Sequence, residues 1–293
     1  MDRWLEVARE AARDAGRLLL AAQGRVSRVE TKSSYADLVT ETDRAAERAI
    51  ADCIARRAGP GHEVLGEESF AAGRSRVCTL EDLAAAPRLW VVDPLDGTTN
   101  FVHGVPFFAV SIAYLERGET RFGVIYDPVR DAWYEAVRGR RFTENGKVGR
   151  VSGEADLRQS LLASGFQYDA AGEGRLNLRQ FDAVARQSRN VRALGSAALA
   201  LALVAAGRLS GFWELRLGPW DVAAGALMVE AAGGRVTHLD GSPFVLGSRL
   251  DIAATNGRIH EDLLAVLNRA VGSGISGSRR AEAGAPNPGG RTV

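Results

Sequence analysis

Trp90-Val-Val-Asp93-Pro-Leu-Asp96-Gly97-Thr98-Thr-Asn100-Phe-Val-His103-Gly104 runs from an apolar, strand-like stretch into two carboxylates and then a turn of small residues. Asp93 and Asp96 are hard oxygen ligands of the kind that suits Mg²⁺. Gly97, Thr98 and Thr99 offer backbone N–H groups and hydroxyls that can cradle a phosphate at a helix start. Carboxylates for a metal beside donors for a phosphate point to metal-assisted hydrolysis of a phosphate ester. That chemistry needs charge neutralisation, an activated water and a stabilised leaving alkoxide. Mg²⁺ keeps several of its waters, so few carboxylates are needed per ion.

Three further segments accompany the first: Lys32-Ser-Ser-Tyr-Ala-Asp37-Leu-Val-Thr40-Glu-Thr42-Asp43, Gly66-Glu67-Glu68-Ser69 and Trp220-Asp221-Val-Ala-Ala-Gly225. Singly, each has a plain structural reading. Asp-Gly-Thr makes a turn or a cap, Glu67 and Glu68 a solvated pair, and Asp221 a helix cap beside a packed Trp. Together and in order, over roughly the span of one large domain, they resemble the inositol monophosphatase family.

The resemblance implies roles for individual residues. Glu67, Asp93 and the backbone carbonyl of Leu95 would hold a first Mg²⁺. Asp93, Asp96 and Asp221 would hold a second. A third, weaker ion would lean on Glu67, giving two to three ions per site. Thr98, paired with Asp43, would orient and deprotonate the attacking water. Gly97 and Thr98 N–H groups would hold the phosphate, and Lys32 would reach the site through water. Substrate hydroxyls would meet Asp96, Gly195, Ser196, Ala197 and Glu214. Gly195-Ser196 begins an apolar helix, so its free N–H groups are read as open to a polyol or phosphate.

Thr98 to Gly104, with Glu214 and Trp220-Asp221 downstream, resembles the branch that acts on inositol phosphates. Myo-inositol 1-phosphate is therefore the expected substrate, with histidinol phosphate or a broad range of sugar phosphates such as fructose 1,6-bisphosphate as alternatives. A regulatory binding protein of the same fold is the non-enzymatic alternative. The resemblance also implies a homodimer and inhibition by Li⁺.

The elements that must position these residues can be read as well. The chain has 293 residues, 46% of them hydrophobic, enough for a sizeable core. A formal net charge of +1 gives no global field for nucleic acid or an anionic membrane. Lys32 and Lys147 are the only lysines in an Arg-dominated chain. Cys53 and Cys78 have no metal or redox spacing and read as small hydrophobes. Residues 2–22 alternate charge with Ala and Leu, as an amphipathic helix does and a signal peptide does not. A cytoplasmic protein is expected, with no membrane span.

A second helix starts near Thr40 or Thr42 and runs to about Arg57, stopped by Gly59-Pro60-Gly61. Val64 to Gly66 is a short strand delivering Glu67, and Arg88 to Val92 is the strand feeding Asp93. Phe107 to Val137 reads as an antiparallel meander, and Asn145-Gly146 as a hairpin turn. Beyond about residue 150, helices alternate with short apolar strands. The predicted fold is a layered αβαβα sandwich: an α+β part over 1–150 carrying Glu67, Asp93 and Asp96, and an α/β part over 151–271 carrying Asp221. Residues 272–293 are Gly/Ser/Pro/Ala-rich and read as a disordered tail.

Overall fold

The computed structural model describes residues 1–24, 29–31, 38–73, 75, 80–166, 174–247 and 250–272. Lys32, Cys78, the tail after 272 and most of the segment after Phe166 lie outside them.

Helix α1 (Asp2–Ala22) buries Leu5, Ala8, Ala12, Ala15 and Leu19, the one-face spacing of an amphipathic helix. A ribbon of β1 (Val29–Thr31) and β2 (Leu38–Thr40) leads into α2 (Glu41–Ala58). Thr40 caps α2, and Asp43 closes a capping box with it. Then come β3 (Glu63–Gly66), α3 (Glu67–Ala71), α4 (Leu80–Ala85), β4 (Leu89–Asp96) and α5 (Thr98–Val102). Strands β5 (Ala109–Glu116), β6 (Glu119–Asp127) and β7 (Ala132–Val137) form the expected meander, and β8 (Thr143–Glu144) and β9 (Lys147–Val148) the hairpin at Asn145-Gly146. These strands make one seven-stranded sheet in the order β3-β4-β5-β6-β7-β8-β9, antiparallel except for the parallel β3–β4 pair.

The second half contains β10 (Leu161–Ser164), α6 (Gly174–Ala185), β11 (Asn190–Arg192), α7 (Ala197–Ala205), β12 (Gly211–Leu217), α8 (Pro219–Ala231), β13 (Arg235–Thr237), β14 (Leu250–Thr255) and α9 (His260–Gly272). Its five-stranded sheet has the order β11-β10-β12-β14-β13.

Strand alternation sorts the core into layers. Trp90, Val92, Ile112, Tyr114, Phe122 and Val124 pack with α1 and α2 on one face of the first sheet. Leu89, Val91, Ala113, Leu115 and Ile125 face the other way, onto α7 and α8, which also meet Phe212, Ile252 and Ala254 of the second sheet. Trp213 and Ala253 point outward again, onto α6 and α9. The order is helix, sheet, helix, sheet, helix, as predicted. No described helix is long and apolar enough to cross a membrane. The apolar run around Ala197–Ala205 is instead buried on both sides.

Candidate active site

The expected strand from Arg88 to Val92 in fact continues to Asp96. Asp93 pairs with Ser111 and Asp96 with Ala109, so β4 carries one extra residue between them. Residues three apart in a regular strand point to opposite faces; one bulged residue returns them to the same face. Pro94, which cannot donate to a ladder, sits inside that bulge. Asp221 arrives from the other half, in the first turn of α8 behind Pro219. Ser111 Oγ donates to the Trp220 carbonyl at 3.2 Å and ties that turn to the first sheet. One carboxylate oxygen from each of Asp93, Asp96 and Asp221 lies within 4.8 Å of the others.

Neutral groups hold these carboxylates. Asp93 accepts from the Leu95 N–H at 2.9 Å, and Asp221 from the Gly218 N–H at 2.5 Å. Asp96 accepts from the Ser196 hydroxyl and from the N–H groups of Ala197 and Ala198 at 3.2 and 2.7 Å. Burial and the neighbouring carboxylates push the Asp93 and Asp221 carboxyls well above their usual range. Asp96 is raised to about 6, chiefly by burial, against the pull of its three donors. Buried carboxylates packed together with no cation among those donors are the donor set a hard divalent metal fits.

Glu67 opens α3. It stands outside the 4.8 Å group, yet its charge raises the carboxyls of Asp43, Asp93, Asp96 and Asp221. Thr98 Oγ1 lies 3.1 Å from both Asp43 Oδ1 and the Leu95 carbonyl, and its single proton can serve one at a time. Asp43 is buried, which raises its carboxyl, while Thr40 bonds it from the other side. Gly97 adopts φ 103°, and a Cβ there would meet the Gly195 and Phe107 carbonyls at 3.1 Å. Glu214 lies against Gly165; burial, and then Asp96, raise its carboxyl to about 8.

One expectation changes. The helix that Gly195-Ser196 opens does not present a wholly free N-terminus. The Ser196 hydroxyl and the Ala197 and Ala198 N–H groups already donate to Asp96. The reason is topological: α7 ends on the bulge of β4, so its positive end meets a carboxylate of the same chain.

The structure brings together Asp43, Asp93, Leu95, Asp96, Gly97, Thr98, Gly195, Ser196, Ala197 and Glu214, with Asp221 and, at longer range, Glu67. Lys32 falls outside the described residues. Two residues that brace the site escaped the sequence reading. Asn100 Nδ2 donates to the Phe107 and Leu194 carbonyls, both at 2.8 Å, and so holds Gly195 against the motif loop. Glu47 binds the turn that carries Glu67. Its spacing, four residues after Asp43 on one helix face, was the available signal. His103 is exposed at the end of α5 and joins no cluster.

Residues 1–271 match the inositol monophosphatase family. The chain is 41% identical over 264 residues to an inositol-1-monophosphatase of Synechocystis, covering 90% of this chain and 88% of that one. It is 42% identical over 271 residues to the Nus factor SuhB of Pseudomonas aeruginosa, covering 91% and 96%. Among solved structures, the Thermotoga maritima IMPase superposes with a TM-score of 0.82 at 37% identity, over 93% of this chain and 99% of that one.

Proposed function

Since the chain belongs to the inositol monophosphatase family, a family of phosphatases, we propose that it hydrolyses myo-inositol 1-phosphate with Mg²⁺ held by Asp93, Asp96 and Asp221. The observation that carries this reading is the convergence of three carboxylates within 4.8 Å, next to the Gly97-Thr98 turn. Glu67 and the Leu95 carbonyl complete the ligand set, for two to three ions. When bound, the metal neutralises phosphate charge and lowers the pKa of a water.

The chain's own groups do the rest. Asp43 accepts the Thr98 proton and so turns the hydroxyl's lone pairs toward the water that attacks. Gly97, lacking a side chain, lets the phosphate approach the backbone N–H groups of the turn. Lys32 adds positive charge from its loop. Glu214, neutral below about pH 8, donates to a ring hydroxyl. Gly195, Ser196 and Ala197 line the rim beside Asp96, and Ser196 and Ala197 serve the substrate mainly by fixing that carboxylate. A cytoplasmic homodimer remains the assembly we propose.

A second reading follows from the relative named Nus factor SuhB: a regulatory binding protein on the same scaffold. One experiment separates the two. Phosphate release is measured from inositol 1-phosphate, histidinol phosphate and fructose 1,6-bisphosphate, with and without Mg²⁺, for the wild type and Asp96→Asn. Mg²⁺-dependent preference for inositol 1-phosphate, lost in the variant, supports the proposal. Preference for another ester keeps the mechanism and replaces the substrate. No turnover of any ester favours the binding role.

A further inference from the structure

We infer that Glu47, on α2, is a positioning residue that sets where Glu67 stands in the metal site. This rests on the reading of Glu67 as a metal ligand. Helix α3 begins at Glu67 behind Gly66, which has no side chain to cap it. Glu47 takes over that task from a different helix. Its buried carboxylate accepts from the Glu68 N–H at 2.7 Å, the Ser69 N–H at 2.9 Å and the Ser69 hydroxyl. A Cβ at Gly66 would lie 2.4 Å from the Glu47 carboxylate, so the absence of a side chain there is what admits it.

Three donors converging on one charged acceptor fix the turn in both direction and height. Glu67 sits between Gly66 and Glu68, so those bonds restrain the backbone from which its side chain leaves. The same face of α2 carries Asp43 one turn earlier, and Asp43 holds Thr98. One helix face therefore registers two parts of the site: the hydroxyl beside the motif turn and the carboxylate that opens α3. A partner outside the ligand set that orients a ligand commonly controls metal affinity by about ten- to a hundredfold.

The test is a double-variant cycle read by Mn²⁺ binding, using electron paramagnetic resonance of the free ion and no substrate. The set is wild type, Glu47→Gln, Glu67→Gln and the double variant, with Glu47→Ala as a harsher companion. Glu47→Gln keeps the volume and one acceptor oxygen, so it carries the test even if Glu47→Ala fails to fold. The expected result is Mn²⁺ affinity weaker by about tenfold in each single variant, with the double variant little worse than Glu67→Gln alone. Phosphatase assays should then show a raised Mg²⁺ requirement for Glu47→Gln and a kcat near wild type at saturating Mg²⁺. Equal losses from Glu47→Gln in both backgrounds would make Glu47 a general stabiliser and overturn the inference. So would unchanged Mn²⁺ affinity in Glu47→Gln when Glu67→Gln weakens it. Unchanged affinity in Glu67→Gln itself would instead overturn the reading of Glu67 as a ligand.

Discussion

At Glu214 a carboxyl raised to about 8 stands next to carboxylates that a bound metal would hold in their ionised form. The two kinds of group differ in what they can do: a protonated carboxyl donates, an ionised one only accepts. Glu214→Ala is therefore expected to raise KM for inositol 1-phosphate by about tenfold, the worth of one hydrogen bond, and to leave a simple aryl phosphate alone. Raising the pH through about 8 should weaken the inositol ester in the wild type but not in Glu214→Gln, which keeps a donor at every pH. Equal effects on both esters would remove Glu214 from substrate recognition. The side chains we propose to act could be picked out from the sequence, since metal ligands must be oxygen donors and phosphate cradles must be small. The groups that hold them were not. Nothing in the spelling of Glu47 or Asn100 shows which distant backbone each will meet. The N–H groups at the start of α7 looked available only because their partner, Asp96, is more than a hundred positions away.

Among the elements, short helices and strands serve mainly to aim side chains, and these were the hardest to foresee. Strands β11 and β13 have three residues each, and α3 and α5 have five, too few to show a period. The long amphipathic α1 and the capped α2 were plain. The bulge in β4 could have been suspected from Pro94, yet only pairing with β5 shows it. The start of α9 illustrates how an element end can depend on one buried group. His260 is fully buried between Thr237 Oγ1 and Thr255 Oγ1, each 2.9 Å away. Thr237 donates its proton to the His238 carbonyl, and Thr255 Oγ1 accepts from the Gly257 N–H. That network assigns the imidazole proton to Nε2 and leaves Nδ1 to accept from Thr255. Burial lowers its pKa to about 4, from an ordinary 6.5. Because the folded value is the lower one, the unfolded chain binds the proton first as pH falls. Stability is fully present above about pH 6.5 and drains toward about pH 4. The site carboxylates, with raised values, act in the opposite direction, so the comparison must be between variants. Between roughly pH 7.5 and about pH 5 the wild type should lose about 2 kcal/mol relative to His260→Gln in urea unfolding. Parallel pH profiles for the two proteins would exclude this role.

For the molecule as a whole, the placing of the site follows from the middle layer. Helix α8 supplies Asp221, and its Ala224 backbone lies so close to the first sheet that a Cβ on Gly123 would approach its Cα to 2.7 Å. On its other side, a Cβ on Gly225 would meet the Leu201 side chain at 2.5 Å. Helices α7 and α8 thus belong by sequence to the second half and by packing to both. Polar ties add to this. Arg208 reaches Glu144 at 2.8 Å, the Phe142 N–H reaches the Ala231 carbonyl at 3.5 Å, and Asn100 reaches Leu194 at 2.8 Å. The boundary near residue 150 that the change of pattern suggests therefore separates two sheets without separating two cores. An isolated 151–272 fragment would expose the apolar faces of both middle helices, and a 1–150 fragment would expose the sheet face beneath them. Each would lose apolar burial that helps to offset the chain entropy of folding. The expected outcome is that each fragment alone lacks a cooperative melt, whereas the whole chain unfolds in one transition by both tryptophan fluorescence and far-ultraviolet circular dichroism. A fragment that melts cooperatively by itself would show two independent domains. The metal site would then be an interface between them, free to open, instead of a fixed feature of one core.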